Sequence, residues 1–154
     1  MRSGFGSTLQ VLFNVLNQKP ADSLLGLAQR QDYGIIARVP LASALLSGKF
    51  QAVEFKPEDV RRMFLTSKRL AELRPKVERY LDLCGRFQWS PIPAALRFVL
   101  EHPAVSCAIP GVKTVEQVNE NVRASHLSLP PEFLQSMREE FRSYNFYLRY
   151  GVDI

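Results

Sequence analysis

Three short apolar runs, LQVLFNVL (9–16), IIARV (35–39) and AVSCAI (104–109), are rich in β-forming residues, and stretches with helical spacing separate them. Such runs bounded by turn residues read as buried strands. Strand, helix, strand with short links commits the strands to parallel pairing, because a crossover must bring the chain back to the starting end of the sheet. Pro20 leads into ADSLLGLAQRQ, a helix with Leu24, Leu27 and Ala28 on one face, stopped at Gly34, and Pro40 closes the second strand. Leu70, Leu73, Val77 and Leu81 mark an amphipathic helix over 67–87, bent at Pro75. Ser90 and Pro91 form a helix start, with a hydroxyl at the N-cap and a proline where no N–H is needed, and Ile92, Leu96, Val99 and Leu100 make its apolar stripe. Thr114 opens another helix, and Pro130-Pro131 opens a last one through EFLQSMREEF. The expected class is α/β.

At 154 residues the chain (1–154) is expected to form a single domain with one core. Apolar content of 46% and charged content of 23% are those of a globular protein, and a net charge of +5 from scattered basic residues suits an anionic small molecule better than nucleic acid. No apolar stretch reaches the roughly 18 residues of a membrane span, and MRSGFGSTLQ lacks the apolar centre of a signal peptide. The expected location is the cytoplasm. Cys84 and Cys107 have no metal-ligand spacing and are expected to be reduced, buried thiols.

The segment CAIPGVKTVEQVNENV (107–122) passes from strand through Pro110-Gly111 to a helix, and it admits two readings. In the structural one, Thr114 and Gln117 form a capping box, Gly111 makes the turn, and Val115, Val118 and Val122 pack on the sheet. In the functional one, Lys113 stands at a helix N-terminus that already favours an anion, and Gln117, Glu120 and Asn121 share the face away from the valines. A cation and a helix start attract phosphate; amides and a carboxylate hydrogen-bond a purine edge. The connection LASALLSGKFQAVEFKPEDVRR, with Ser, Gly and Lys near its start, is long enough to be functional as well.

These residues bear a family resemblance. IPGVKTVEQVNENVRAS resembles the closing strand–helix unit of the aldo/keto reductases, LQVLFNVLN their Gln-Val-Glu-Tyr-Asn strand, and GIIARVPLASALLSGKF their Pro-Leu-Ala-Ser-Gly-Leu-Leu-Thr-Gly-Lys segment. FKPEDVRR resembles the acidic-Arg stretch of the following loop, and WSPIPAALRFVLEHPAVSCAIPG the helix and final strand, so the likeness runs from about Leu9 to Leu129. The resemblance implies the C-terminal portion of a (β/α)8 TIM barrel, three parallel strands with surrounding helices, and NADP(H) as cofactor in carbonyl reduction. By resemblance, Gln10 matches the hydrogen-bonding partner of the nicotinamide carboxamide, and Arg38 the position that stacks on the ring. Leu41, Ser43, Gly48 and Lys49 match the loop around the pyrophosphate. Lys113 and Thr114, with Gln117 beside them, match the grip on the 2′-phosphate, and Glu120 and Asn121 the contacts to adenine.

The departures carry their own expectations. Leu12 and Phe13 replace a usual glutamate and tyrosine, and Ala44 stands where the family has glycine, which crowds a close approach to the pyrophosphate. The family's Asp, Tyr, Lys and His tetrad comes from its first four strands, whereas the likeness begins at the sixth; His102 and His126 match no catalytic position, and neither do Tyr144, Tyr147 and Tyr150. The chain alone is therefore expected to keep the cofactor half without catalysis. The alternative is a non-enzymatic nucleotide-binding or protein-interaction module built from a half barrel. Three strands cannot close a barrel, so self-association as a homo-oligomer, rearranged helices or a complementing chain is expected to cover the open sheet. The C-terminal FRSYNFYLRYGVDI is expected to pack its aromatics on the body as an amphipathic helix end.

Overall fold

A computed structural model describes residues 6–49 and 58–142. Phe55, Lys56 and Pro57 of the acidic-Arg stretch, Tyr144, Tyr147 and Tyr150, and the tail reading beyond Arg142 lie outside the described residues. The element order is β1 (Thr8–Leu12), a 3₁₀ turn (Lys19–Asp22), α1 (Leu24–Arg30), β2 (Gly34–Arg38), 3₁₀ segments at Ala42–Ser47 and Val60–Met63, α2 (Ser67–Arg86), α3 (Pro91–Leu100), β3 (Val105–Ile109), α4 (Val115–Ser125) and α5 (Pro131–Phe141). The three strands form one parallel sheet in the order β1-β2-β3. Leu12, Arg38 and Ile109 stand side by side at its C-terminal edge. The sheet is open, with β1 and β3 at its two margins, as three strands of a barrel must be.

The first strand is shorter than its apolar run. Residues 13–18 stay buried, but Asn14 and Asn17 turn the chain out of the ladder. Their backbones exchange hydrogen bonds, Asn17 Nδ2 donates to the Leu12 carbonyl (2.9 Å), and Asn14 Nδ2 donates to the Val39 carbonyl (2.9 Å). These side chains satisfy backbone groups that strand pairing would otherwise have to satisfy. The first helix buries Leu25 and Ala28 while Leu27 is exposed, so its inward face is rotated from the expected one. It ends before Gly34, which instead begins β2. Its Cα is crowded: a Cβ there would meet Thr8 Cγ2 and Ser106 Oγ at 3.2 Å.

α2 runs through Pro75, which is exposed, and buries Leu73, Val77, Tyr80 and Leu83. Ser90 occupies the N-cap of α3, but its hydroxyl makes no capping bond. The reason is local: Pro91 and Pro93 remove two of the first three helical N–H groups, including the N3 donor that a cap would take. The stripe of α3 is buried at Ile92, Leu96 and Val99, joined by Ala94, Ala95 and Phe98. One core collects Val11 of β1, Ile35 and Ala37 of β2, the inner faces of α2 and α3, and the Phe133, Met137 and Phe141 face of α5, with Val105 and Ala108 of β3 packed against it.

Two expectations fail at the far margin. Val115, Val118 and Val122 do not pack on the sheet. They are exposed, because α4 lies against α3 through Ala124, which meets Ile92 and Leu96, on the opposite side of the helix from the valines. Cys107 is likewise exposed, on marginal strand β3, while Cys84 is buried and burial pushes its thiol up to about 11; both are free.

Candidate functional site

The loops that leave β2 and β3 begin at the same edge of the sheet, and a cavity of about 330 Å³ lies between the first of them and α4. Leu41, Lys49, Gln117, Glu120 and Asn121 line it, together with Ala44, Ser47, Arg61, Ile92 and Gly111. Gln117, Glu120 and Asn121 reach it together because Ala124, on the same side of α4, is what anchors that helix to α3. Ser43, Gly48, Lys113 and Thr114 belong to the segments that frame the cavity without lining it. Gln10 and Arg38 stand on the sheet, exposed and half-buried respectively, and are not part of its wall.

The loop after β2 is bent by consecutive residues in left-handed conformation: Ala42 (φ 47°), Ser43 (φ 59°) and Ala44 (φ 75°), after Val39 at 54°. None of these is glycine, so each pays a steric cost that the surrounding contacts must hold. The holding contacts are visible. Ser47 Oγ donates to the Ala44 carbonyl (2.7 Å), Arg61 Nη1 donates to the Ser43 carbonyl (3.4 Å), and Gly48 closes the segment at φ 78°. A Cβ on Gly48 would touch Pro91 at 3.4 Å, so this glycine serves both its torsion and its packing. Gly111, by contrast, has no left-handed torsion and open space around its Cα.

Arg61 is itself held by Asp59: Nε donates to Oδ1 (2.9 Å) and Nη2 to Oδ2 (2.6 Å). The guanidinium, by hydrogen bonds first, holds the Asp59 carboxyl down at about 2, and the charge of Lys113 adds a smaller pull. The acidic-Arg stretch signals the Asp59–Arg61 pair in the sequence, but its place against the strained loop is tertiary.

At the start of α4, Thr114 Oγ1 accepts from Gln117 N (3.3 Å), the first half of the capping box. The return bond goes one residue further out than expected: Gln117 Oε1 accepts from the Lys113 backbone N–H (2.7 Å), not from that of Thr114. The Glu116 carboxyl is held below its usual range by its own backbone N–H and the Thr114 hydroxyl. Side-chain oxygens of Glu116 and Gln117 therefore sit on the free donors of the helix start, where the partial positive end of the helix favours them. Glu116 is exposed and Gln117 half-buried, and Lys113 is exposed beside them. Among the described residues no group of three metal-binding side chains occurs, and no helix is long and apolar enough to cross a membrane.

The sequence pattern of the aldo/keto reductase family matches residues 6–140. An uncharacterized oxidoreductase, YrpG, of Bacillus subtilis (strain 168) is 29% identical over 134 residues, which are 87% of this chain and 40% of that protein. The pyridoxal 4-dehydrogenase of Microbacterium luteolum is also 29% identical, over 87% of this chain and 37% of its own length. An NADH-specific methylglyoxal reductase of Escherichia coli (strain K12) is 27% identical over 85% of this chain and 40% of its own length. Among solved structures, the glycerol dehydrogenase AKR11B4 from Gluconobacter oxydans superposes with a TM-score of 0.75 at 20% identity, covering 89% of this chain and 42% of that one. The aldo-keto reductase AKR11C1 from Bacillus halodurans in its holo form gives 0.63 at 20% identity, covering 90% and 44%. The chain thus spans about 40% of the length of the curated relatives it matches.

Proposed function

The chain belongs to the aldo/keto reductase family, an oxidoreductase family, and from that premise we propose that these residues hold the adenylate end of NADP(H). The observation that carries this reading is the cavity that gathers Lys49, Gln117, Glu120 and Asn121 beside the strained loop. Its volume is at the small end of ligand pockets, about 300–1,000 Å³, and suits part of a dinucleotide. The donor set fits a phosphate too: a helix start whose N–H groups already gather side-chain oxygens, with Lys113 next to them. In this reading Glu116 and Gln117 keep the places that phosphate oxygens take, and the exposed Glu116 swings aside at little cost.

The roles follow along the chain. Lys113, Thr114 and Gln117 grip the 2′-phosphate, and Glu120 and Asn121 meet the adenine edge. Leu41, Ser43, Gly48 and Lys49 follow the pyrophosphate, with backbone N–H groups as donors. Gln10 and Arg38, at a distance from the cavity wall, serve the nicotinamide: Gln10 by hydrogen bonding and Arg38 by laying its guanidinium on the ring. When bound, the dinucleotide would supply the hydride. These 154 residues hold no matched proton donor for the alkoxide that hydride transfer creates, so they bind cofactor and turn over no carbonyl by themselves.

Fluorescence titration with NADPH and with NADH tests this. Saturable NADPH binding is expected, weaker for NADH, and Lys113→Ala is expected to weaken NADPH at least about tenfold, the worth of a charged hydrogen bond. Unchanged NADPH affinity in Lys113→Ala sinks the phosphate assignment. Reduction of an aromatic aldehyde by the chain alone sinks the claim that its proton donor is missing.

A further inference from the structure

A second cavity, of about 390 Å³, lies between the 13–22 segment, the end of α3 and α5, and shares no residue with the first. No strand residue lines it, so it is a feature of the chain's own helices and loop rather than of the open sheet margins. Its chemistry is decided by which of its polar groups are still free. Both carboxylates in the wall have partners: Asp22 pairs with Lys19 at 3.5 Å, and Glu139 accepts from the Gln135 amide. Arg138 and Arg142 have no hydrogen-bond or ion-pair partner among the described residues. His102 Nδ1 accepts from the Ala104 N–H (3.2 Å), which puts the proton of the neutral ring on Nε2. Burial first, and then the charge of Arg138, hold that ring below its usual range, so at neutral pH it is uncharged and Nε2–H is a donor. Gln18 is 6% exposed and donates through Nε2 to the Val15 and Met137 carbonyls (3.0 and 2.9 Å). Its Oε1 takes no bond and is an acceptor left open to the cavity that Gln18 lines.

These groups select a ligand. Two guanidiniums call for an anion, and their fork geometry suits a carboxylate. The buried Gln18 oxygen calls for a hydroxyl on the same molecule, since a ligand without a donor would leave it unpaired. Phe13, Phe98 and Pro103 give the cavity an apolar wall, the Phe13 and His102 rings standing perpendicular with 5.8 Å between centres. We propose that this cavity binds a small hydroxy-carboxylate, with its carboxylate on Arg138 and Arg142, its hydroxyl donating to Gln18 Oε1 and its apolar body against Phe13 and Phe98. The volume is within the range of small-molecule sites, about 300–1,000 Å³. The plainer role for the arginines is to face the carbonyl end of α5, where cations are favoured; that role uses neither His102 Nε2–H nor Gln18 Oε1. The proposal is independent of the NADP(H) reading.

Proton NMR of the full chain at constant neutral pH tests this, with His102 as reporter and His126, the only other histidine, as control. Mandelate is expected to shift the His102 ring resonances saturably and to leave those of His126 in place, whether or not NADPH is present. Mandelamide, which lacks the charge, is expected to bind at least about tenfold more weakly, and phenylacetate, which lacks the hydroxyl, about fivefold more weakly. Arg138→Ala combined with Arg142→Ala removes two exposed side chains and is expected to leave circular dichroism unchanged while weakening mandelate at least about tenfold. Absence of a saturable His102 shift, or equal affinity for mandelamide or in the double variant, overturns the site. Phenylacetate binding as tightly as mandelate overturns the part given to Gln18.

Discussion

Ala44 shows what one methyl group does in a bent loop. The residue sits at φ 75°, in a torsion that a side chain of L chirality adopts at a cost of about 1–2 kcal/mol, and it lines the cavity with no core contact to lose. Ala44→Gly is therefore expected to stabilise the chain by about 0.5–1 kcal/mol, the relief being partly offset by the greater freedom of glycine when unfolded. Ala42, at φ 47°, is the control: it is wholly buried in the core, so glycine there gives up packing and is expected to gain nothing. Urea midpoints of the two variants check this, and equal shifts would mean that the buried packing of Ala42 is not what distinguishes them. The departure at position 44 is readable in the sequence by resemblance; that three consecutive residues share the left-handed region is not, since no local signal marks alanine or serine for it.

Helix α4 is where periodicity and packing part company. Its spacing correctly divides valines from Gln117, Glu120 and Asn121, but periodicity states only that one face is apolar, not what that face meets. The helix is tied to the body by one buried residue, Ala124, so its order depends heavily on its own ends. Thr114→Ala removes the bond to Gln117 N and is expected to cost about 1 kcal/mol. That loss is expected to stay local: amide exchange in the first turn speeds up about fivefold while global unfolding is barely shifted. A matching loss of global stability would show that α4 belongs to the cooperative core. The strands follow the same logic. β2 and β3 begin and end within a residue or two of their apolar runs, whereas β1 stops four residues short of its run because Asn14 and Asn17 reach backbone carbonyls, one of them that of Val39, 25 positions away in the chain.

A sheet with two free margins needs another source of cohesion, and α5 supplies it by joining the ends of the described chain. Gln18, buried just after β1, donates through Nε2 to the Met137 carbonyl (2.9 Å) across 119 positions of sequence, and Phe133 stacks on Phe87 at 4.7 Å between ring centres with Trp89 beside it. Phe133 has no exposed surface, and Met137 and Phe141 extend the same buried face. Contacts this distant in sequence hold the first strand and the α2–α3 junction in one body, so removing one should be felt by every element together. Phe133→Ala is expected to cost about 3–5 kcal/mol, a large share of the roughly 5–15 kcal/mol by which a domain is stable. The urea transition, followed by far-ultraviolet dichroism and by Trp89 fluorescence, should move to lower midpoint in both signals together. If the fluorescence moves and the dichroism does not, α5 is an attached helix, and the three strands must draw their stability from the margins themselves.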